Sequence, residues 1–600
     1  MVLCAAGCHH PARRISEPSD SVVGVSAPWL HDSPATTASL DHINVSPDDL
    51  TPPRTTQSPE AAEVWELSLS EAIGIALQNS EVVRTLAGGG VAAEPGSLTG
   101  ATTVGGGAVG AGGVTVYDPA IAEQQVATAL AKFDATFAAS ILWTRTDQPP
   151  GVIFGGGIPV PNQRDQAAFQ STLTKPLATG GTARISFDSD YFFRPELGGR
   201  RTPAQYTPRV EFELSQPLLR GAGTDFNRAP IVIARLQSDI SLWDFKQTML
   251  GLVRSVEEAY WNLQAAHVSL RTVEEVLPYA REAVRLTEER VKVNLVIRAD
   301  LAQARAQFLE FRQQRVQALA TVLERETTLR NLLGLPPTDN RRLVPSDDPL
   351  RVPLAVDWAA VVNTALEYRP DIVQNRLGVR VRELQVLIAK NALQPELNVG
   401  GLWRVNGLDR ELDEAIGLLT DNRFNDWQLG VSLNVPIGFR AASAGVQAAE
   451  LRLDKEHALL HQTVHATTHR LNGIVRNLDS LYGQYEIARE RLDASRIWLE
   501  GRRSQFEEPP PAREGQDSLL LALTNYLQAL QSWASSASDA SNLLAQYNTA
   551  LAQLEEVKGT LLTARGVTLQ EDPCARVRFS QSRLPHVHVE IGPTLSAAAD

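Results

Sequence analysis

Cysteine is nearly absent from this chain of 600 residues. Cys4, Cys8 and Cys574 cannot form a disulfide framework, and no pair of them has the CxxC spacing of a zinc or redox site. The sequence therefore argues against a disulfide-stabilised fold, a structural zinc site and thiol redox chemistry.

Long apolar runs are also missing. No stretch approaches the roughly eighteen consecutive apolar residues that a membrane-spanning helix needs. A role at a membrane must then come from strands or from an attached lipid.

Basic residues are outnumbered, with 56 Lys and Arg against 69 Asp and Glu, a net charge of −13 and an isoelectric point near 5.5. No block rich in Lys and Arg is interleaved with aromatic residues. These features argue against nucleic acid as a partner. Because 43% of the residues are hydrophobic and 21% charged, the bulk of the chain is expected to be ordered.

Catalytic motifs are lacking as well, since there is no phosphate-binding loop, nucleophile elbow or HExxH sequence. Gly105, Gly107 and Gly110 match a dinucleotide fingerprint, but they lie in the glycine-rich insert 88–113. The residues that follow cannot open the helix which that fingerprint requires. We therefore interpret the match as chance and expect a conduit rather than an enzyme.

The N-terminal segment 1–62 is predicted to be an anchor and a linker. Ala5-Ala6-Gly7 before Cys8 is similar to the box that precedes the acylated cysteine of bacterial lipoproteins. A basic region and an apolar core do not precede it, so one hypothesis is that the true start lies upstream. The alternative is that Cys8 occurs there by chance. The remainder of the segment is rich in Pro, Ser, Thr and Asp, and this composition predicts an extended linker.

An alternating strand that ends in proline and is followed by a long helical pattern occurs twice. The first copy covers residues 209–221 around Pro217, and the second covers 427–439 around Pro436. We therefore predict an internal duplication. The first repeat covers 63–345, with the glycine-rich insert, and the second covers 346–570. A C-terminal tail occupies 571–600.

Each repeat combines a short helix, strands and two long helices. In the first repeat, the long helices are predicted over about 229–293 and 300–333, and a helix of the first length would span about 100 Å. Pro278 is expected to kink or break the first of them. Period-two alternation predicts strands in both repeats; these are 133–143, 169–173, 182–192, 210–214, 397–405 and 427–435.

Two copies of this unit resemble the outer-membrane efflux proteins of the TolC type. The resemblance covers about 65–562 and is strongest in Leu69-Ser-Glu-Ala-Ile-x-x-Ala-Leu77, in its echo at 356–371, in both strand-proline junctions and in the turn 290–304. That family's turn has an Arg, a Gly four residues later and an Asp six residues after that. This chain keeps Arg290 and Asp300 but has Asn294 for the glycine. Asn is the residue next best suited to a left-handed backbone.

The resemblance implies an α+β membrane protein. Three copies would form a 12-stranded β-barrel, with four strands from each chain, continued by a long α-helical coiled-coil barrel in the periplasm. An additional hairpin around 167–193 departs from that pattern. About four strands cannot close a barrel alone, which independently requires oligomerisation. Pro217 and Pro436 would mark the level where strand becomes helix.

The resemblance also implies a function. The chain would be the outer-membrane exit duct of a tripartite efflux or type I secretion system and would passively export small molecules, metals or polypeptides. Its partners would be two further copies of itself, outer-membrane lipid, a periplasmic adaptor protein and an inner-membrane pump. No cofactor is expected apart from a lipid on Cys8.

The hairpin turns at the periplasmic end are the candidate gate. Arg290, Asn294 and Asp300 match the family's first turn, and Asp517 matches the acid that begins the last helix. A ring of carboxylates there could select cations and resist opening. The alternative is that Asp300 and Asp517 only cap helix N-termini. The second turn carries a proline-rich insertion at 507–515.

Four histidines follow one another at intervals of four residues; they are His457, His461, His465 and His469. Neighbours at this spacing share a helix face, as two imidazoles do in helical metal sites. Each step drifts by about 40°, so all four cannot bind one ion. The favoured interpretation is a hydrated polar face, and the alternative is a stripe that transiently binds Zn²⁺, Cu or Ni.

A structural role is the rival to the exit duct. A periplasmic coiled-coil adaptor or scaffold with a small soluble β-domain would also combine long helices with strands. The strand faces distinguish the two, because an adaptor's strands enclose a soluble core whereas those of a channel face lipid.

Overall fold

The structure of the chain is a computed structural model. It describes residues 52–58, 63–80, 82–86, 102–104, 107–151, 160–193, 204–508, 518–571 and 577–581. Cys8, Asp517 and most of the proline-rich insertion lie outside the described residues.

Helices dominate the described residues, and four of them are long. In chain order the helices are α1 (Leu69–Gln78), α2 (Asp118–Ala131), α3 (Thr224–Lys292), α4 (Arg298–Leu333), α5 (Trp358–Tyr368), α6 (Pro370–Asn391), α7 (Leu412–Thr420), α8 (Arg440–Glu507), α9 (Ser518–Lys558) and α10 (Leu561–Ala564). The strands are β1 (Glu63–Leu67), β2 (Val82–Leu86), β3 (Thr102–Val104), β4 (Gly107–Thr115), β5 (Thr136–Gly151), β6 (Val160–Pro176), β7 (Thr182–Phe193), β8 (Gln205–Pro217), β9 (Arg341–Pro345), β10 (Glu396–Asn406), β11 (Asn425–Asn434), β12 (Val567–Glu571) and β13 (Val577–Gln581).

The largest sheet has six strands, all antiparallel, in the order β11, β10, β8, β7, β6, β5. The sheet therefore has two strands more than the four that the resemblance implies for each chain. The segment between α2 and β8 adds two long strands, because alternation continues through β6 and β7 and a tight turn joins them.

The long helices pack as two hairpins, with α3 against α4 and α8 against α9. The predicted break at Pro278 does not occur, because α3 is helical from Thr224 to Lys292 through both Pro230 and Pro278. Val276 and Ala280, on either side of Pro278, are fully buried in a cluster that α8 and α9 share. This packing holds the helix together where proline removes one backbone hydrogen bond.

The hydrophobic core lies where the helices meet the small elements of both repeats. Its largest cluster joins α1 to α3 and α4, and the parallel pair β1 and β9 covers one side. Leu69, Ile73, Ala76 and Leu77 of α1 are buried there. The periodic apolar positions of α1 thus form one packed face, and Ser68 caps the N-terminus by accepting from the Glu71 backbone N–H.

The glycine-rich insert contributes strands rather than a nucleotide-binding turn. Gly107 and Gly110 lie within β4, which pairs with β2 and β3, and Gly105 is outside the described residues. A dinucleotide fingerprint needs these glycines in a turn between a strand and a helix. The glycine match therefore gives no support to the interpretation of the chain as a nucleotide-binding enzyme.

Candidate functional site

The six-stranded sheet has one apolar face that runs across all of its strands. One row of directly paired residues shows this; it consists of Trp427, Trp403, Phe212, Ile185, Leu173 and Phe137. Trp403 stacks on Phe212 with 5.4 Å between the ring centroids. The period of two in each strand therefore places the large side chains on one surface.

This apolar face is open to the surroundings of the single chain. Trp427 is 75% exposed, Phe137 is 70% exposed and Val431 is 67% exposed. No element of the described residues covers them. A continuous exposed apolar surface of this kind is typical of contact with lipid or with another protein.

The opposite face of the sheet is polar and charged. The next row of paired residues contains Asp426, Arg404, Glu211, Ser186, Thr172 and Ala138. Arg404 contacts Glu211 at 2.7 Å, and Arg209 lies 3.3 to 3.5 Å from Glu211, Asp188 and Asp190. Charges that alternate in sign across neighbouring strands suit a wall in contact with water.

The sheet ends where the long helices begin. Pro217 is the last residue of β8, and α3 starts at Thr224 after Gly223, which has φ of 100°. Pro436 follows the end of β11 by two residues, and α8 starts at Arg440. Both strand-proline junctions thus lie close to a transition from strand to helix.

The turn between α3 and α4 contains three of the predicted tip residues. Asn294 has φ of 59°, the left-handed conformation that glycine usually takes in such a turn. The Arg290 carbonyl accepts from the Leu295 backbone N–H at 2.9 Å, which closes the turn. Asp300 Oδ2 accepts from the Ile297 backbone N–H at 3.1 Å, so this buried carboxylate caps α4.

Arg290 also joins the first hairpin to the second. Its Nη2 donates to the Phe506 carbonyl oxygen at 2.6 Å, and its guanidinium lies 4.6 Å from the centroid of the Phe506 ring. The Phe506 ring in turn stacks on Tyr526 of α9, with centroids 5.0 Å apart and 12° between the planes. The Arg290 guanidinium therefore links α3 to the C-terminal end of α8, close to the turns of both helical hairpins.

Burial determines the electrostatics of this cluster. It raises the pKa of Tyr526 to about 12, and it lowers the pKa of Arg290 from its ordinary value. Tyr526 therefore stays neutral at physiological pH, while an arginine stays charged in proteins. The Arg290 contact to Phe506 is thus a charge-assisted hydrogen bond in a partly desolvated place.

Phe506 and Tyr526 are tip residues that the sequence did not single out. The available signal is position: Phe506 is the last aromatic residue before the proline-rich turn, and Arg290 stands close to its own turn in the other hairpin. The sequence does not reveal the contact between Arg290 and Phe506, because the two residues are 216 positions apart in the chain.

The four histidines lie on α8 and are all exposed. His465 and His469 have ring centroids 4.4 Å apart, whereas the described residues contain no group of three or more His, Cys, Asp or Glu placed to hold a metal ion. Two adjacent imidazoles without a third ligand make a weak site.

Calorimetric titration with Zn²⁺ tests this stripe. We expect equal and negligible heats for the wild type, His461→Ala and His465→Ala, because no third ligand completes a site. A heat in the wild type that both substitutions abolish would contradict this expectation and restore the metal interpretation.

Among the described residues, none of the helices combines the length and the apolar composition that crossing a membrane requires.

Comparison with known families identifies the chain's relatives. The model of the outer membrane efflux protein family matches residues 209–335 and 361–560, which together make up more than half of the chain. The chain belongs to the outer membrane efflux protein family. The matched residues of this family member include most of β8 and all of β10, β11 and the four long helices.

Solved structures share the fold of this efflux protein at low sequence identity. The CmeC outer membrane channel of Campylobacter jejuni has 16% identity and a TM-score of 0.51, over 74% of this chain and 81% of that one. The outer membrane protein VceC of Vibrio cholerae has 15% identity and a TM-score of 0.51, over 74% and 91%. The MtrE outer membrane channel of Neisseria gonorrhoeae has 16% identity and a TM-score of 0.50, over 82% and 89%. A search of curated proteins gives no match.

Proposed function

We propose that this chain is the exit duct of a tripartite efflux or type I secretion system in the bacterial outer membrane. Three copies close a β-barrel in the membrane, and the barrel continues as an α-helical tunnel into the periplasm. Small molecules, metals or polypeptides pass through it passively, and an inner-membrane pump supplies the energy.

The observation that carries the proposal is the two-faced sheet. Its apolar face presents Phe212, Trp427 and Val431 to the outside, and its other face presents Arg404 and Glu211. A wall between lipid and a water-filled lumen needs this arrangement, because apolar side chains meet the acyl chains and charged ones meet water.

The same sheet argues against the adaptor or scaffold. A soluble β-domain encloses its apolar side chains in a core, so that they are shielded from water. In this chain the apolar row is open from Phe137 at one edge to Trp427 at the other. Covering it needs either lipid or a large protein surface.

The helical part supports a ring of copies. On α8, four large apolar side chains are exposed; they are Leu451, Leu459, Ile487 and Ile497. Because α8 already packs on α6 and α9 with its buried residues, these side chains are available to a neighbouring copy. Burying them between chains would favour the trimer.

An adaptor protein is proposed to dock at the tips. The turn between α3 and α4 exposes three apolar side chains, Val293, Leu295 and Ile297, each more than 60% accessible. Apolar side chains at the end of a hairpin suit a helical hairpin of a partner that meets it end to end.

The acylated Cys8 would add a second attachment to the membrane, and mass spectrometry of the mature N-terminus tests it.

Planar-bilayer recording tests the channel and its closed tip together. Wild-type protein extracted with detergent should form pores with low conductance, and Arg290→Ala should raise the population of open pores about tenfold or more. A hydrogen bond from a charged donor contributes about 1.5 to 3 kcal/mol, and this variant loses it between α3 and α8 in every copy.

Arg285→Ala is the matched control for Arg290→Ala. Arg285 lies on the same helix, and its guanidinium pairs with Glu282 at the exposed surface. We expect this control to conduct like the wild type. Protein that stays monomeric in water without detergent and forms no pores would favour the adaptor instead.

A further inference from the structure

The two outer strands of the large sheet each have a partner on one side only. Among the described strands, β5 pairs with β6 alone and β11 pairs with β10 alone. All ten residues of β11 are exposed, and so are nearly all residues of 136–146 in β5. Such long edges present rows of backbone N–H and C=O groups that a further strand can pair with.

The directions of these edges allow the sheet to continue from one copy to the next. Because all five pairings within the sheet are antiparallel, β5 and β11 run in opposite directions. A β5 edge laid beside a neighbour's β11 edge therefore makes another antiparallel pair. The apolar face also continues across this join, since Phe137 stands at one edge and Trp427 at the other.

The additional hairpin of β6 and β7 is an integral part of the six-stranded sheet. The turn between β6 and β7 contains Gly180 and lies against the segment that leads into α3. Gly180 has φ of 93°, and a Cβ at this position would stand 2.1 Å from the Gly221 carbonyl oxygen. The Thr179 carbonyl accepts from the Gly223 backbone N–H at 3.1 Å and from Gln216 Nε2 at 3.1 Å. The hairpin therefore ends at the same level as β8 and belongs to the same sheet.

The width of the sheet matches the helices below it. Near the junctions, α2, α3, α6 and α8 pack side by side in that order. Four helices about 10 Å apart occupy about 40 Å of a ring. Six strands about 4.8 Å apart and tilted by about 40° occupy about 38 Å, whereas four would occupy about 25 Å. A wall of six strands per chain thus continues the helical ring without narrowing.

We propose that the membrane barrel of this protein has eighteen strands, six from each chain, and that β5 of one copy pairs with β11 of the next. The proposal rests on the trimeric channel proposed above. Because barrel diameter grows roughly in proportion to strand number, the barrel is about 1.5 times as wide as one of twelve strands. A barrel of this size leaves an open aqueous lumen, which suits bulky cargo.

Disulfide trapping across the join tests the strand count. Ser432→Cys on the polar face of β11 is combined in turn with a cysteine at each position on the polar face of β5, namely 136, 138, 140, 142 and 144. Directly opposed residues of antiparallel strands are close enough for a disulfide. In oxidised outer membranes we expect at least one pair to give about tenfold more covalent dimer and trimer than either single substitution. The single substitutions also measure any background from Cys4, Cys8 and Cys574.

Ser432→Cys with Ser186→Cys is the matched control, because β7 has strand partners on both sides within its own chain. We expect no crosslink between copies from this pair. A crosslink through Ser186 would overturn the proposal in favour of a barrel of fewer strands. The absence of β5 crosslinks in membranes where an amine-reactive reagent still traps trimers would overturn it too, yet leave the channel intact. Protein found only in the soluble fraction would overturn the channel as well.

Discussion

Val431→Arg is expected to lower the amount of assembled protein in the outer membrane by about tenfold or more. Val431 lies five residues before Pro436. At about 3.3 Å per residue and about 40° of tilt, it stands about 13 Å from the junction, near the middle of an apolar band about 25 Å tall. A cationic side chain facing lipid at that depth costs about 2 to 4 kcal/mol in each chain. Immunoblotting of membrane fractions, heated and unheated, measures the assembled trimer.

Ser432→Arg provides the matched control, because it places the same side chain one residue further along β11. Ser432 pairs with Asn398 on the polar face, where Arg404 and Glu211 also lie. We expect nearly wild-type assembly from this variant, and the same loss as Val431→Arg from Phe212→Arg. Equal assembly of Val431→Arg and Ser432→Arg would mean that the apolar face does not meet lipid.

Arg330→Met is expected to destabilise the helical body by about 3 to 5 kcal/mol. Arg330 is 1% exposed. It donates to Glu326 at 3.0 Å, to Asp339 at 2.7 Å and to the Arg341 carbonyl at 2.6 Å. The substitution removes the cation that the two buried carboxylates share, and it leaves Glu326 with Arg54 and Asp339 with the partly exposed Arg341. Thermal unfolding of extracted protein, followed by circular dichroism, should show a clearly lower midpoint.

Arg315→Met on the same helix is the control for Arg330→Met. Arg315 is partly exposed and pairs with Glu274 at 2.9 Å. An exposed pair of this kind contributes about 0 to 1 kcal/mol, so the midpoint should hardly move. Equal midpoints for the two variants would contradict a stabilising role of the buried network.

The same network should make the wild type sensitive to acid. Burial raises the pKa of Asp339, but hydrogen bonds from Arg330 and Arg341 outweigh burial and hold the pKa below its ordinary value. A carboxyl with a lowered pKa in the folded state stabilises the protein above its unfolded pKa. That contribution is lost as the pH falls through the folded pKa. Arg330→Met should therefore lose less stability between neutral and acid pH than the wild type.

Periodic patterns predicted most of the fold. The helix 300–333 was placed within two residues of α4 at its start and at Leu333 at its end, because Gly334 terminates it with φ of 68°. Strands were placed in all six segments of the large sheet, since each alternates apolar with polar residues. The internal duplication stays a prediction, made because both copies of the alternating strand end in proline before a long helical pattern.

Other features could not be predicted from local sequence. Pro278 was expected to kink or break the first long helix, but α3 remains helical through it. Whether proline breaks a helix depends on what packs around it, and here Val276 and Ala280 are buried against other helices. Short α7 between β10 and β11 was also missed, and its buried Ala415 shows that tertiary contacts hold it. At the tip, Arg290 was predicted, but its partner Phe506 was not.

The sequence by itself determined the class of protein. Alternation, proline junctions and helical periodicity indicated the order of elements, and the low cysteine count argued against a disulfide-stabilised fold. Tertiary structure decided how many strands share one sheet, which side of that sheet is apolar throughout, and which cation fastens the two hairpins. The physical reason is the distance along the chain over which each kind of interaction acts. Backbone preferences and periodicity act over a few residues, whereas strand pairing and the contact of Arg290 with Phe506 join segments far apart in the chain.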